Sequence, residues 1–190
     1  MQSSTILKKP VAAATRSGGS SARTFLTGRE RTFDANQIIV SKTDPKGIIT
    51  YVNQVFTTVA QYTEEELLGA PHSIVRHPGM PRCVFRFMWD TIKAKKELFA
   101  YVLNRAKSGD HYWVFAHVTP TFDEQGKVIG YHSNRRLPSR EAVARIEPIY
   151  ALLLAEERRH GNSEDAMRAA TAYRPTCSRP ASVLSRPRLP

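Results

Sequence analysis

Two prolines bracket a short segment whose side chains could bind a charged ligand. His72, Arg76 and His77 lie in this segment. The guanidinium of arginine is a rigid fork of donors that matches a carboxylate or a phosphate, so Arg76 with His77 could neutralise a carboxylate or a pyrophosphate. The simpler alternative is an ion pair between Arg76 and a carboxylate such as Glu66 or Asp90. The two histidines are five residues apart, a spacing that does not place zinc ligands on one helix face.

Three further side chains could hold a flat ligand with a polar edge. Trp89 and Tyr112 offer flat apolar area for a conjugated ring. Asn104 is predicted to point into a mostly apolar interior, where its amide needs a partner that both donates and accepts hydrogen bonds. A tryptophan on an amphipathic helix is more often a core residue than a stacking surface, so Trp89 by itself does not predict a ligand.

The chain shows no signature of catalysis. No activated nucleophile, paired carboxylate or glycine-rich phosphate loop stands out, so we do not expect an enzyme. The two cysteines, Cys83 and Cys177, give neither a disulfide framework nor the spacing of zinc ligands. This usage of cysteine favours a reducing, cytoplasmic location, and no apolar stretch approaches the ~20 residues of a transmembrane helix.

The net charge of +11 over 190 residues is concentrated at the two ends of the chain. Residues 1–32 carry +5 and residues 174–190 carry +4, which leaves +2 for residues 33–173. A nearly neutral centre does not predict a nucleic-acid-binding module. Both ends are rich in Ser, Pro and Arg and lack hydrophobic periodicity, so we expect a basic N-terminal tail and an Arg/Pro-rich C-terminal tail, both disordered.

Between the tails, the pattern predicts an α+β domain with five antiparallel strands. Residues 37–43 and 48–52 form a hairpin, and three strands at residues 98–106, 111–122 and 127–136 form a meander. Several short helices lie between these two groups, the first capped by Asn53 and the second opened by a capping box at Thr63 and Glu66. The two groups combine into one sheet with the helices crossing one face.

Alternation along the last strands predicts two different sheet faces. One face carries small residues that leave room beneath the helices: Ala100, Val102, Val114 and Ala116. The other carries aromatic residues that need a cover: Phe99, Tyr101, Trp113 and Phe115. A helix after Pro138 could return onto this aromatic face through Val143, Ile146, Tyr150 and Leu153. Alternatively, the face could bind a signalling partner or a second copy in a homodimer.

Several ungapped motifs resemble one known family. They are Asn53 at a strand-to-helix junction, GAPHSIVRHPGMP at residues 69–81, FRFMW at residues 85–89 and NRAKSGDHYWV at residues 104–114. Together they resemble the PAS domain of bacterial aerotaxis receptors, over residues 34–138. The resemblance implies a single PAS domain followed by a helical extension at residues 139–173. It also implies a sensor that detects redox state through non-covalently bound FAD and signals to the chemotaxis machinery.

The resemblance also implies which positions bind the cofactor. The flavin-pocket positions of the family fall on Asn53, His72, Arg76, His77, Trp89, Asn104 and Tyr112. Where the family usually has an aspartate two residues after the second histidine, this chain has Gly79.

Four functions follow in order of preference. The first is a PAS sensor that binds FAD and couples redox or oxygen state to signal transduction, and the second is a PAS interaction module without flavin. A haem-binding PAS sensor is third, because several histidines are available and one axial ligand suffices. Nucleic-acid binding is last, because it would depend on the tails alone.

Overall fold

The computed structural model describes residues 25–159, and this part of the chain folds around one antiparallel sheet. Its strands are β1 (Ile39–Thr43), β2 (Ile49–Val52), β3 (Leu98–Arg105), β4 (His111–Phe122) and β5 (Val128–Arg136). Its helices are α1 (Gln54–Ala60), α2 (Glu64–Leu67), α3 (Arg82–Lys93) and α4 (Arg140–Arg159), with a 3₁₀ turn at His72–Val75. The predicted α+β fold with five antiparallel strands is confirmed.

The sheet joins the two predicted groups of strands through β5. The strand order is β2-β1-β5-β4-β3, so the last strand of the meander inserts beside the first strand of the hairpin. Arg135 of β5 lies between Ile39 of β1 and Ala116 of β4. Residues at this central position have a neighbouring strand on both sides, and their inner side chains are covered by the helices.

Local hydrogen bonds form the short elements as the sequence predicts. Asp44 closes the β1–β2 turn by accepting from the amide of Ile48 at 2.8 Å. Gly47 completes this turn at φ +82°, a conformation that favours glycine. Thr63 and Glu66 form the predicted capping box at the start of α2. Helix α3 begins at Arg82, directly after Pro81, which occupies its N-cap position.

Helix α4 returns onto the aromatic face of the sheet. Trp113, Val143 and Tyr150 are buried together, and the hydroxyl of Tyr150 donates to the carbonyl of Tyr101 at 2.6 Å. Pro148 lies inside this helix, which continues past it to Arg159. Helix α4 therefore covers part of the aromatic face, as the first of the two alternatives predicted.

Residues 27–31 differ from the predicted tail. The amide of Thr27 donates to the carbonyl of Gly109 at 3.0 Å, and the amide of Arg31 donates to that of His111 at 2.7 Å. The predicted tail boundary at residue 32 is wrong for this stretch, because its backbone groups pair with the β3–β4 loop and the start of β4. Residues 1–24, the predicted helical extension beyond residue 159 and the predicted C-terminal tail with Cys177 lie outside the described residues. Within residues 25–159, no helix has the length and apolar character needed to cross a bilayer.

Candidate ligand cavity

A cavity of about 270 Å³ lies between the inner face of the sheet, the 3₁₀ turn and α3. Its size is near the lower end of the ~300–1,000 Å³ typical of small-molecule pockets. Its apolar wall comes from α3 and the sheet: Phe85, Met88, Trp89, Ile92, Val102, Ala116 and Val118. Val102 and Ala116 belong to the small residues predicted to leave room beneath the helices, so this part of the prediction is confirmed.

Four of the seven predicted cofactor-binding residues line the cavity: His72, Arg76, Trp89 and Asn104. Asn104 is 4% exposed, and within residues 25–159 its side-chain amide forms no hydrogen bond. A buried amide normally has partners, so this side chain is available to a ligand. Backbone pairing with Arg76 anchors β3 to the end of the 3₁₀ turn at this point.

His72 lies at the start of the 3₁₀ turn and is neutral. Its Nε2 is 3.2 Å from the Oγ of Ser41, and its ring stacks on Phe56 with centroids 5.9 Å apart. Burial and the neighbouring cation of Arg135 lower the pKa of His72 to about 3. An uncharged imidazole can offer one donor and one acceptor here, but no positive charge.

Arg76 is partly exposed and does not pair with Glu66 or Asp90. Its guanidinium lies 4.3 Å from the centre of the Phe85 ring, and burial lowers its pKa. Glu66 instead pairs with Lys107, and Asp90 pairs with Arg86 at 3.9 Å. The alternative of an ion pair between Arg76 and either acid is therefore wrong. The carboxylate whose charge acts on Arg76 is that of Glu157, and Arg76 lines the cavity.

Trp89 forms the cavity wall where α3 approaches the β1–β2 turn. Its ring meets Tyr131 edge to face at 5.6 Å between centroids. A side chain at Gly47 would come within 3.0 Å of the Trp89 ring. The glycine thus serves both the turn and the close packing of the indole.

Asn53, His77 and Tyr112 do not line the cavity. Asn53 has a structural role, since its Oδ1 accepts from the amides of Val40 and Phe56 and its Nδ2 donates to Ile38. The Nδ1 of His77 accepts from the amide of Gly79 at 2.9 Å, a contact that leaves no free space for a side chain at position 79. The role of these three residues in cofactor binding stays a prediction, which their positions do not support.

Strands β1 and β5 bring polar residues to the cavity that the sequence pattern did not predict. Ser41, Ser133 and Arg135 all line it. Tyr131, Ser133 and Arg135 alternate along β5 and therefore share one face. The alternation of residues along β5 could have shown that these side chains share a face. Serine and arginine are mostly exposed in proteins, however, so their types indicated a solvent-exposed face.

Comparison with known proteins identifies the domain. Residues 49–135 match the family model described as the PAS fold. The aerotaxis receptor of Escherichia coli (strain K12) is 40% identical over 135 residues, which are 71% of this chain and 26% of that receptor. The described domain therefore has the PAS fold, and its sequence is similar to part of a bacterial aerotaxis receptor.

Other proteins are similar to this chain at lower identity. The nitrogen fixation regulatory protein of Klebsiella pneumoniae is 27% identical over 99 residues, 52% of this chain and 20% of that protein. The light-state structure of the blue-light photoreceptor Aureochrome1 LOV has a TM-score of 0.51 at 21% identity, covering 64% of this chain and 91% of that one. The structural similarity concerns the fold alone. The chain spans about a quarter or less of the length of these two curated relatives.

Proposed function

We propose that this PAS domain binds FAD non-covalently and couples redox or oxygen state to signal transduction of the aerotaxis kind. The observation that carries the proposal is the cavity, where the Asn104 amide has no partner among residues 25–159 and aromatic and aliphatic side chains form the walls. Such a site favours a flat ring with a polar edge. The 40% identity to a bacterial aerotaxis receptor supports this choice of ligand and signal.

The residues of the cavity fit separate parts of a flavin dinucleotide. The volume suits the ring system, with Trp89 along its apolar surface and Asn104 at a polar edge. Arg76 and the exposed Lys46 also line the cavity, and both can neutralise phosphate groups that remain near solvent. When bound, the flavin supplies reversible uptake of electrons, and the protein supplies its orientation and electrostatic surroundings.

A route for the signal runs from the cavity to α4. Phe85, Met88, Trp89 and Ile92 of α3 line the cavity. The carboxylate of Glu157 in α4 accepts from the first amides of α3, so the two helices are joined at that end. We infer that a change in the ligand alters the position of α3 and, through this contact, the seating of α4 on the sheet.

The first test is to purify the protein without added cofactor, record its visible spectrum and identify any ligand released on denaturation. We expect flavin bands and free FAD. N104A should lose most of the flavin while keeping the fold, because the only change is the loss of an amide that forms no hydrogen bond with another described side chain. N36A changes an exposed asparagine and should retain the wild-type flavin content.

Three results would contradict the proposal. A Soret band would assign the cavity to haem. A colourless, folded protein that also fails to bind added FAD would indicate an interaction module without flavin. An unchanged flavin content in N104A would remove Asn104 from the binding site.

A further inference from the structure

Arg135 is a buried cation in the middle of the sheet. Its side chain is 2% exposed and belongs to the lining of the cavity. Its Nη2 donates to the hydroxyl of Ser41, whereas its Nε and Nη1 are buried and have no partner among the described residues. Five N–H donors normally find acceptors when arginine is buried, so this guanidinium is under-satisfied.

The neighbours of Arg135 do not neutralise it. The guanidinium lies 4.5 Å from the centre of the Phe56 ring, and the nearby imidazole of His72 is uncharged. No carboxylate within residues 25–159 forms an ion pair with it. Burial lowers the pKa of Arg135 to about 10, so the side chain remains charged at neutral pH. A buried charge without a partner is costly and calls for a compensating group.

Arg135 and Asn104 approach the cavity from different places on the sheet. Asn104 pairs in register with Tyr112 of β4, and Arg135 pairs with Ala116 four residues further along that strand. Because β3 and β5 flank β4, their Cα atoms are about 16 Å apart by standard sheet dimensions. The two polar side chains can therefore reach different polar atoms of one ligand.

We propose that Arg135 binds the ligand through paired hydrogen bonds to an acceptor-rich edge of its heteroaromatic ring. This inference rests on the proposed function and adds a binding residue to the same site. Arg135 lies within the core, where a strongly hydrated phosphate would lose its water, whereas Arg76 and Lys46 are nearer to solvent. Ring carbonyls and ring nitrogens are weakly hydrated acceptors that can enter such an interior and match the planar fork of arginine.

The test uses the full chain freed of ligand and titrated separately with FAD and riboflavin, which has the same ring without phosphates. R135M should weaken the binding of both by about ten- to a hundredfold, the usual effect of losing hydrogen bonds from a charged group. R135K keeps the positive charge but not the planar guanidinium that can form paired hydrogen bonds, and it should give a smaller loss of affinity. R136M removes the exposed neighbouring arginine and should bind both flavins as the wild type does.

The stability of the ligand-free protein separates binding from a structural role. Because R135M removes a buried charge without a carboxylate partner, its urea midpoint should equal or exceed that of the wild type. A lower midpoint with unchanged flavin affinity would overturn the inference. A loss confined to FAD would also overturn it, since Arg135 would then contact the adenosine diphosphate part of FAD rather than the ring that FAD shares with riboflavin. If the wild type binds neither flavin, the proposed function itself fails.

Discussion

His72 and His77 are five residues apart in the sequence, and the fold gives them different environments. His72 is enclosed between Ser41, Phe56 and the cavity. His77 lies outside the cavity, edge-on to His111 with ring centroids 5.9 Å apart. Burial lowers the pKa of both, and His72 has the larger shift, to about 3. Only His72 is therefore placed both to contact a ligand in the cavity and to resist protonation there.

The buried environment of His72 predicts that the stability of the folded protein decreases in acid. Between about pH 6.5 and about pH 3, the unfolded state binds a proton at His72 that the folded state does not. The free energy of unfolding should therefore decrease as the pH falls below about 6.5, with a slope approaching about 1.4 kcal/mol per pH unit. Urea denaturation from about pH 7 to about pH 5 measures this before most carboxylates titrate.

The slope, rather than the absolute stability, is the quantity to compare between variants. H72N should show a shallower decrease over this range, since the titrating group is absent. H132N changes a partly exposed histidine on β5 and should retain the wild-type slope. Equal slopes in H72N and the wild type would mean that His72 is protonated in the folded protein.

At the scale of elements, α3 and α4 act as a pair. Helix α3 begins after a proline that offers no side-chain cap, so its first amides need another acceptor. Glu157 supplies it, at 3.1 Å from the amide of Arg82 and 2.8 Å from that of Cys83. The same carboxylate raises the pKa of the Cys83 thiol, after the larger effect of burial, to about 12. One residue of α4 thus caps the helix that forms a wall of the cavity.

We expect E157A to destabilise the protein by about 1 kcal/mol, the usual cost of removing an N-terminal cap. Hydrogen exchange should accelerate at the amides of Arg82 and Cys83, because both lose their acceptor. E147A removes an exposed glutamate from the same helix and serves as the matched control. Unchanged exchange in E157A would show that the capping contact does not persist in solution.

At the scale of the whole molecule, both faces of the sheet are used. The inner face borders the cavity, and α4 covers the outer face around Trp113 and Tyr101. Phe99 and Phe115 remain partly exposed beside this helix, stacked with centroids 5.9 Å apart. The predicted contact surface is thus reduced to the part that α4 leaves open, and we expect it to mediate self-association.

F99E should convert a dimer of the full chain into a monomer, because a carboxylate would be buried between two aromatic surfaces. Light scattering after size-exclusion chromatography measures the mass directly. L68E places the same charge on an exposed leucine of the helical side and should leave the dimer intact. A monomeric wild type would exclude self-association and leave this surface to a signalling partner.

The sequence by itself determined the elements whose signals are local. Caps, the tight turn and strand alternation depend on hydrogen bonds and side-chain parity within a few residues. The capping box at Thr63, the cap at Asn53 and the hairpin around Gly47 were therefore predictable. The long ungapped motifs also led to the PAS domain before any geometry was known.

Only the tertiary structure decided which residues meet in the cavity. The cavity combines side chains from β1, the 3₁₀ turn, α3 and the three meander strands, and no local pattern encodes their convergence. His77 and Tyr112 belong to the same motifs as lining residues, yet they and Asn53 lie outside the cavity. Arg135 reaches the interior because β5 inserts between β1 and β4, which buries a side chain that its polarity alone would assign to the surface.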